Sequence, residues 1–344
     1  NRVPLALNKI LKNLIASPKD MADPQGTAEF LSAELNLPKD ELATRLSQKN
    51  DSYEIIAKNL PQDKADDLQN KITAKKIKGL YFEETMSRTY PQGNLAAQLV
   101  GFVSNQNNKE IGQYGLESYF NKDLSGEKGF FEGAKDAAGS WIALAKQITR
   151  PAKNGSDYIL TIDSNIQMKA EQILAKAKDK WGAASASVLV LDPKTGKILA
   201  MATNPTFDPN AFGQQKDYSV FINPVAESMY EFGSVMKPVT MAAGITEKVV
   251  TPTTTYNDPG SINYGGYTIS NFDNKSHGVP TMTQVLEKSL NTGAVFVANL
   301  LGHQRQSDYL KKFGFGQKTG IDLPGEVNGN LSNLSSGSDV DFAT

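Results

Sequence analysis

Apolar residues recur at helical spacing through much of the first 80 positions. After Asp23-Pro24, a start signal, Ala28, Leu31 and Leu35 fall on one face of a helix. Pro38-Lys39-Asp40-Glu41 opens a second helix carrying Leu42 and Leu46, and Pro61-Gln62-Asp63 opens a third with Ala65, Leu68 and Ile72 aligned. Residues 1–80 therefore read as mostly helical, with these stripes as core contacts. Residues 80–85 read as a strand, and residues 94–103 end on another. Residues 112–117 start a short helix that Leu124-Ser125-Gly126 closes, and a glycine-rich, strand-like stretch runs on to Gly139. The turn-rich segment Pro151-Ala152-Lys153-Asn154-Gly155-Ser156-Asp157 then marks a boundary.

Beyond it the pattern predicts a strand over 158–162 and a cap at Asp163, Ser164 or Asn165. The helix that follows carries Ile166, Ala170, Ile173, Leu174 and Ala177 on one face. A hairpin joins 186–191 to 198–202 through Asp192-Pro193-Lys194-Thr195-Gly196-Lys197. Residues 204–224 are loop, and Met236, Val239, Met241, Ala242 and Ile245 give an apolar helical run. Loops and short strands fill 251–282. A helix ends over 283–288, and a second apolar helix over 294–301 stops at Gly302.

At 344 residues the chain exceeds one typical domain, so two are expected, 1–155 and 156–344, with a helical lobe near 20–80. Lys+Arg 36 against Asp+Glu 37 leaves no basic field to hold nucleic acid. Cysteine is absent, which removes disulfides, thiolate nucleophiles and cysteine metal sites. His277 and His303 are the only histidines, so a histidine triad or a zinc site has little to draw on. No apolar run approaches the ~20 residues that span a bilayer.

Chemistry concentrates at Tyr230-Glu231-Phe232-Gly233-Ser234-Val235-Met236-Lys237-Pro238. Positions three apart on a helix share a face, so Ser234 and Lys237 point the same way. A serine hydroxyl becomes a nucleophile when a base takes its proton, and a neutral lysine can be that base. Gly233 lets the chain turn sharply into the helix. Taken alone, Ser-x-x-Lys is more often an ordinary helix start. Ser289-Leu290-Asn291 lies between two helical runs, where side chains can project into a cleft, and alone it reads as a cap. His277, Glu117 and Asp163 read as structural, and Trp141 and Trp181 as packing residues.

Together these pieces are more specific. Ser-x-x-Lys at a helix start followed by Ser-x-Asn at an inter-helix loop resembles the penicillin-recognising serine acyltransferases, whose third motif is Lys-Thr-Gly. Leu160-Thr161-Ile162-Asp163, Val190-Leu191-Asp192-Pro193, Ala200-Met201-Ala202, Glu231-Phe232-Gly233-Ser234, Ser289-Leu290-Asn291-Thr292-Gly293 and residues 313–326 narrow the resemblance to the class B penicillin-binding proteins. Arg88-Thr89-Tyr90-Pro91, Gly101-Phe102-Val103 and Gly115-Leu116-Glu117 are similar to that family's pedestal. Asn271-Phe272-Asp273 and Phe313-Gly314-Phe315-Gly316 are more similar to the cell-division subgroup than to the elongation one.

The resemblance implies an α+β architecture: an elongated N-terminal pedestal, then a serine transpeptidase domain with an antiparallel sheet flanked by helices. It implies peptidoglycan D,D-transpeptidation, with Ser234 as nucleophile and Lys237 as base. Ser289 would relay a proton to the leaving amine, and Asn291 would hold substrate and lysine. No cofactor or metal is implied. The expected partners are peptidoglycan stem peptides, β-lactam antibiotics and membrane-anchored cell-wall synthesis proteins. The expected place is the extracytoplasmic face of the bacterial cytoplasmic membrane, held by an N-terminal anchor outside this chain.

There are departures from the family pattern. Phe232 stands where the family has proline. Lys194-Thr195-Gly196 falls in a predicted hairpin turn and Lys318-Thr319-Gly320 in a glycine-rich loop, so neither fits a cleft-lining strand. The third motif is expected beyond Thr344, leaving the domain incomplete at its C-terminus and slow to acylate as it stands. A catalytically inactive scaffold or β-lactam sensor, and a serine β-lactamase, stay open as alternatives; the large first region argues against the last.

Overall fold

A computed structural model describes residues 2–107, 109–127, 129–132 and 148–336. Strand β1 (Leu7–Ala16) leads to helices α1 (Pro24–Leu35) and α2 (Lys39–Leu46), strand β2 (Glu54–Leu60), helix α3 (Gln62–Ala74) and strand β3 (Leu80–Thr89). The helices lie where their apolar spacing puts them. Asp23 accepts the Gly26 amide at the head of α1, and Ala28, Leu31, Leu42, Leu46, Ala65, Leu68 and Ile72 are all buried. Helical periodicity misses the antiparallel sheet β2–β1–β3. Leu7, Ile10, Leu11, Leu14 and Ile15 are spaced as on a helix, yet β1 is the central strand. Its consecutive residues Leu14 and Ile15 point to opposite faces and are both fully buried. A strand covered on both faces has no reason to alternate, so residues 1–80 form a mixed lobe, not a mostly helical one.

The first region continues through α4 (Ala97–Val100), the hairpin β4 (Phe102–Gln106) and β5 (Lys109–Gln113), α5 (Gly115–Tyr119) and α6 (Asn121–Ser125). The hairpin was not expected, and it moves the helix start from Gly112 to Gly115. Gly115 has φ +47° and backs onto the chain at Leu99, so a Cβ there would strike a carbonyl oxygen. A short hairpin, β6 (Phe130–Glu132) with β7 (Ile148–Arg150), ends this region. The rest of the stretch to Gly139, and Trp141, lie outside the described residues.

Residues 158–162 are not the expected strand. They run extended beside the next hairpin with isolated attachments, Thr161 Oγ1 donating to the Ile198 carbonyl and the Asp163 amide to that of Leu199. Asp163 caps α7 (Ser164–Trp181), accepting the Asn165 and Ile166 amides. This helix packs on β8 (Ala186–Leu191) and β9 (Ile198–Asn204), an antiparallel pair. The face it buries is only partly the predicted one: Leu174 is buried as expected, but Ile166 and Ile173 are exposed and Gln167 is buried instead. Gln167 Nε2 donates to the Met201 carbonyl at 2.8 Å and Oε1 accepts the Met201 amide at 2.8 Å. Its carboxamide thus pairs with β9 as a peptide group would, and a fully paired polar group can be buried cheaply. Trp181, expected to pack, is 77% exposed with Lys180 Nζ 5.1 Å from its ring centre.

Two short 3-10 helices, Pro209–Gln214 and Tyr218–Phe221, break up the loop expected over 204–224. Next come α8 (Pro224–Glu227), α9 (Lys237–Thr246), the hairpin β10 (Ser261–Tyr264) and β11 (Tyr267–Ser270), α10 (Met282–Glu287), α11 (Asn291–Leu301), the unanticipated α12 (His303–Lys312), and α13 (Asn333–Ser336).

Two cores position the site. One joins the two regions: Tyr90, Leu99 and Phe102 meet Met201, Phe207, Phe221 and Leu323. The Phe102 ring stacks on Phe212 at 4.2 Å and meets the edge of Phe221 at 4.9 Å. Buried Gln98 donates across the same junction to the Pro205 and Val220 carbonyls at 3.0 and 3.1 Å. The 151–157 linker therefore divides the sequence but not the packing. The other core, with Met241, Tyr256, Met282, Val285, Leu290, Val297 and Leu301, packs α9 against α10 and α11. Among the described residues no helix is long and apolar enough to cross a membrane, and no cluster of His, Cys, Asp or Glu could hold a metal.

Candidate active site

Gly233, at φ +58°, opens a single 3-10 turn, Gly233–Met236, that runs directly into α9. The turn is tighter than the expected α-helical start, and with three residues per turn it stacks Ser234 under Lys237. Pro238 follows in the first turn of α9, where a missing N–H is harmless. Lys237 Nζ lies 3.1 Å from Ser234 Oγ.

The facing wall is the connection between α10 and α11. A capping box pairs Thr281 with Gln284 at the head of α10. After Lys288 the chain swings through Ser289 at φ +53°, a conformation that a serine adopts only when its surroundings hold it there. Ser289 then presents both its carbonyl and its hydroxyl to Lys237, at 2.8 and 3.0 Å from Nζ. Asn291 begins α11, three residues before the apolar run, and its Oδ1 accepts from Nζ at 2.6 Å. Its Nδ2 donates to the Ser270 carbonyl at 2.7 Å, which fixes the end of the amide that faces the lysine. Of the four residues picked out in the sequence, Ser234, Ser289 and Asn291 converge on the nitrogen of the fourth, Lys237.

Those partners fit a lysine that changes protonation state. The Ser289 carbonyl and Asn291 Oδ1 can only accept, and a neutral amine has two N–H groups to give them. Its lone pair is then free for the Ser234 hydroxyl proton. Burial pushes the Lys237 amine below the ordinary lysine pKa, because a half-buried ammonium loses hydration. Ser234 itself is exposed at the open side of the pair.

The remaining candidates separate from this cluster. Lys194-Thr195-Gly196 sits in the β8–β9 turn, where the Lys194 amide and Thr195 hydroxyl donate to Asp192. Thr319, through amide and hydroxyl at 2.6 Å, and the Gly320 amide wrap the Glu326 carboxylate. Neither Lys-Thr-Gly hydrogen-bonds any of the four. The His277 ring pairs with Asp273 at 3.2 Å, and buried Glu117 with Arg88 at 2.7 Å; both are structural. Sequence reasoning overlooked Asp258 and quoted Asn271 and Thr292 only within stretches of family resemblance, with no role of their own; all three are buried behind the Asn291 wall.

The family described as penicillin binding protein transpeptidase domain matches residues 186–344, and that described as penicillin-binding protein dimerisation domain matches residues 1–160. Stage V sporulation protein D of Bacillus subtilis is 34% identical over 348 residues, covering 100% of this chain and 53% of that protein. Peptidoglycan D,D-transpeptidase MrdA of Escherichia coli is 29% identical over 366 residues, covering 96% of this chain and 56% of that protein. The crystal structure of penicillin binding protein 2X from Streptococcus thermophilus shares the fold, with a TM-score of 0.76 and 24% identity over 98% of this chain and 55% of that one. The chain spans about half the length of these curated relatives. With both family domains in order along one chain and a relative that matches this chain from end to end, this protein belongs to the class B penicillin-binding proteins.

Proposed function

We propose that the protein is a peptidoglycan D,D-transpeptidase acting through an acyl-enzyme at Ser234. The observation that carries this reading is the convergence of Ser234, Ser289 and Asn291 on Lys237 Nζ, all within 3.1 Å. Lys237 takes the Ser234 proton as Oγ attacks the carbonyl of a D-alanyl-D-alanine stem peptide. The Oγ–C bond forms, the C–N bond breaks, and Ser289 passes the proton to the departing D-alanine amine. The amine of a second stem peptide then attacks the ester, restoring the serine and leaving a cross-link. A β-lactam enters the same way and stays attached at Ser234. Family membership supports a site of action outside the cytoplasmic membrane, beside membrane-anchored wall-synthesis proteins, and Asn271-Phe272-Asp273 supports a role in division.

Fluorescent penicillin tests the assignment. Wild type is expected to carry one adduct at Ser234, and Ser234→Ala none, with an unchanged circular dichroism spectrum. A covalent adduct at any other residue overturns it. A second reading is a β-lactam-binding scaffold or sensor without transpeptidation. It predicts a stable adduct but no cross-linked product from stem peptides.

A further inference from the structure

Asn291 can serve Lys237 only if its carboxamide oxygen, not its nitrogen, faces the amine. The Ser270 carbonyl enforces this by accepting Nδ2. The orientation therefore depends on two backbone segments holding their distance, β11 ending at Ser270 and α11 starting at Asn291. The next residue on each segment points into the same buried spot. Asn271 Nδ2 donates to both Asp258 oxygens, at 3.1 and 2.9 Å, and Thr292 Oγ1 donates to Asp258 Oδ1 at 2.7 Å. Asn271 Oδ1 accepts the Thr292 amide at 3.3 Å, tying the two segments to each other as well. Asp258, Asn271 and Thr292 are each at most 2% exposed.

The carboxylate is fully engaged. Besides these donors it accepts the Gly260 amide at Oδ1 and the His277 amide at Oδ2, both at 2.9 Å. Tyr256 OH lies 3.0 Å from Thr292 Oγ1; because Thr292 gives its only proton to Asp258, Tyr256 is the donor there. Burial pushes the Asp258 carboxyl up, but the Thr292 hydroxyl, the two amides and Asn271 outweigh it and hold the carboxyl below its usual range. An ionised acceptor makes each of these hydrogen bonds shorter and stronger than a neutral one would.

We propose, resting on the transpeptidase reading, that Asp258, Asn271 and Thr292 are positioning residues that hold the Asn291 carboxamide oxygen on Lys237. The helix and the strand that flank Asn291 are clamped onto one carboxylate, and that clamp sets the acceptor geometry around the base. Nothing in it touches substrate. Its effect is on Lys237, through the distance and angle of Asn291.

The test uses full-length protein and rapid-mixing acylation by a fluorescent penicillin across pH. Thr292→Val removes the hydroxyl without changing charge or size, and Thr292→Ser restores it. Thr292→Val is expected to slow acylation about 10- to 100-fold, the scale of a misplaced catalytic group. It should also lower the pH midpoint, since an acceptor that favours the ammonium is lost, and Thr292→Ser should recover both. If Thr292→Val does not fold, Tyr256→Phe, which removes the donor behind Thr292, should give a smaller loss in the same direction. A folded variant with unchanged rate and midpoint, or one that only labels a smaller fraction at the wild-type rate, overturns the proposal. A crystal structure of Asp258→Asn decides the same point without any reaction. Asn291 still donating to Ser270 and accepting from Lys237 would overturn the clamp, whereas a turned or displaced carboxamide supports it. Failure of wild type to label at Ser234 would instead remove the transpeptidase reading and leave the crystal structure to judge the clamp.

Discussion

Two buried assemblies do different work in this molecule. The junction between the regions is built from rings and aliphatic chains around Phe102, with Gln98 and Gln167 patching backbone groups at its edge. The wall behind Asn291 is built from Asp258, Asn271, Thr292 and Tyr256, a cluster of polar groups that satisfy one another. Apolar packing is non-directional, so it holds two bodies together strongly while fixing angles weakly. A closed hydrogen-bond network fixes angles, and being buried it tolerates no missing member. Strength sits at the junction and aim sits at the site.

This contrast can be broken by experiment. Phe102→Ala should cost about 3–5 kcal/mol of unfolding free energy, read from urea denaturation, because it leaves a cavity among stacked rings. The folded fraction should keep the wild-type pH dependence of acylation; a moved midpoint would mean that the junction also aims the site. Gln167→Leu should cost about 1–3 kcal/mol by stranding the Met201 amide and carbonyl, again with the pH profile unmoved. In wild type the neutral amine is the base, so acylation should rise as pH rises through the Lys237 titration, with a midpoint below that of an ordinary lysine. A midpoint at or above that value would remove Lys237 as the base. Thr195→Ala, in the exposed β8–β9 turn, should stay within about 0.5 kcal/mol of wild type and leave penicillin labelling as it was.

What the sequence made legible follows the same division. Helices α1, α2 and α3 could be placed because each buries one apolar stripe and carries a start signal. Strand β1 could not, because a segment buried on two faces loses its alternation. The buried face of α7 was misread at Gln167, whose burial depends on a strand that the local sequence does not contain. At the site, Ser234 and Lys237 were legible because three-residue spacing is local chemistry, and Ser289 and Asn291 became so only beside them. Asp258 lies 33 residues before Asn291 in the chain and carries no motif, so only the folded backbone brings it into place.

The open side of Lys237 has a consequence for its protonation. Lys237 is only partly buried, and Ser234, the group that it serves, stands at the exposed rim. A stem peptide or penicillin seated over Ser234 covers that rim and takes away the last water that supports the ammonium. In the proposed reaction the ligand thus deepens the burial that already lowers the Lys237 pKa, and so favours the neutral amine that serves Ser234.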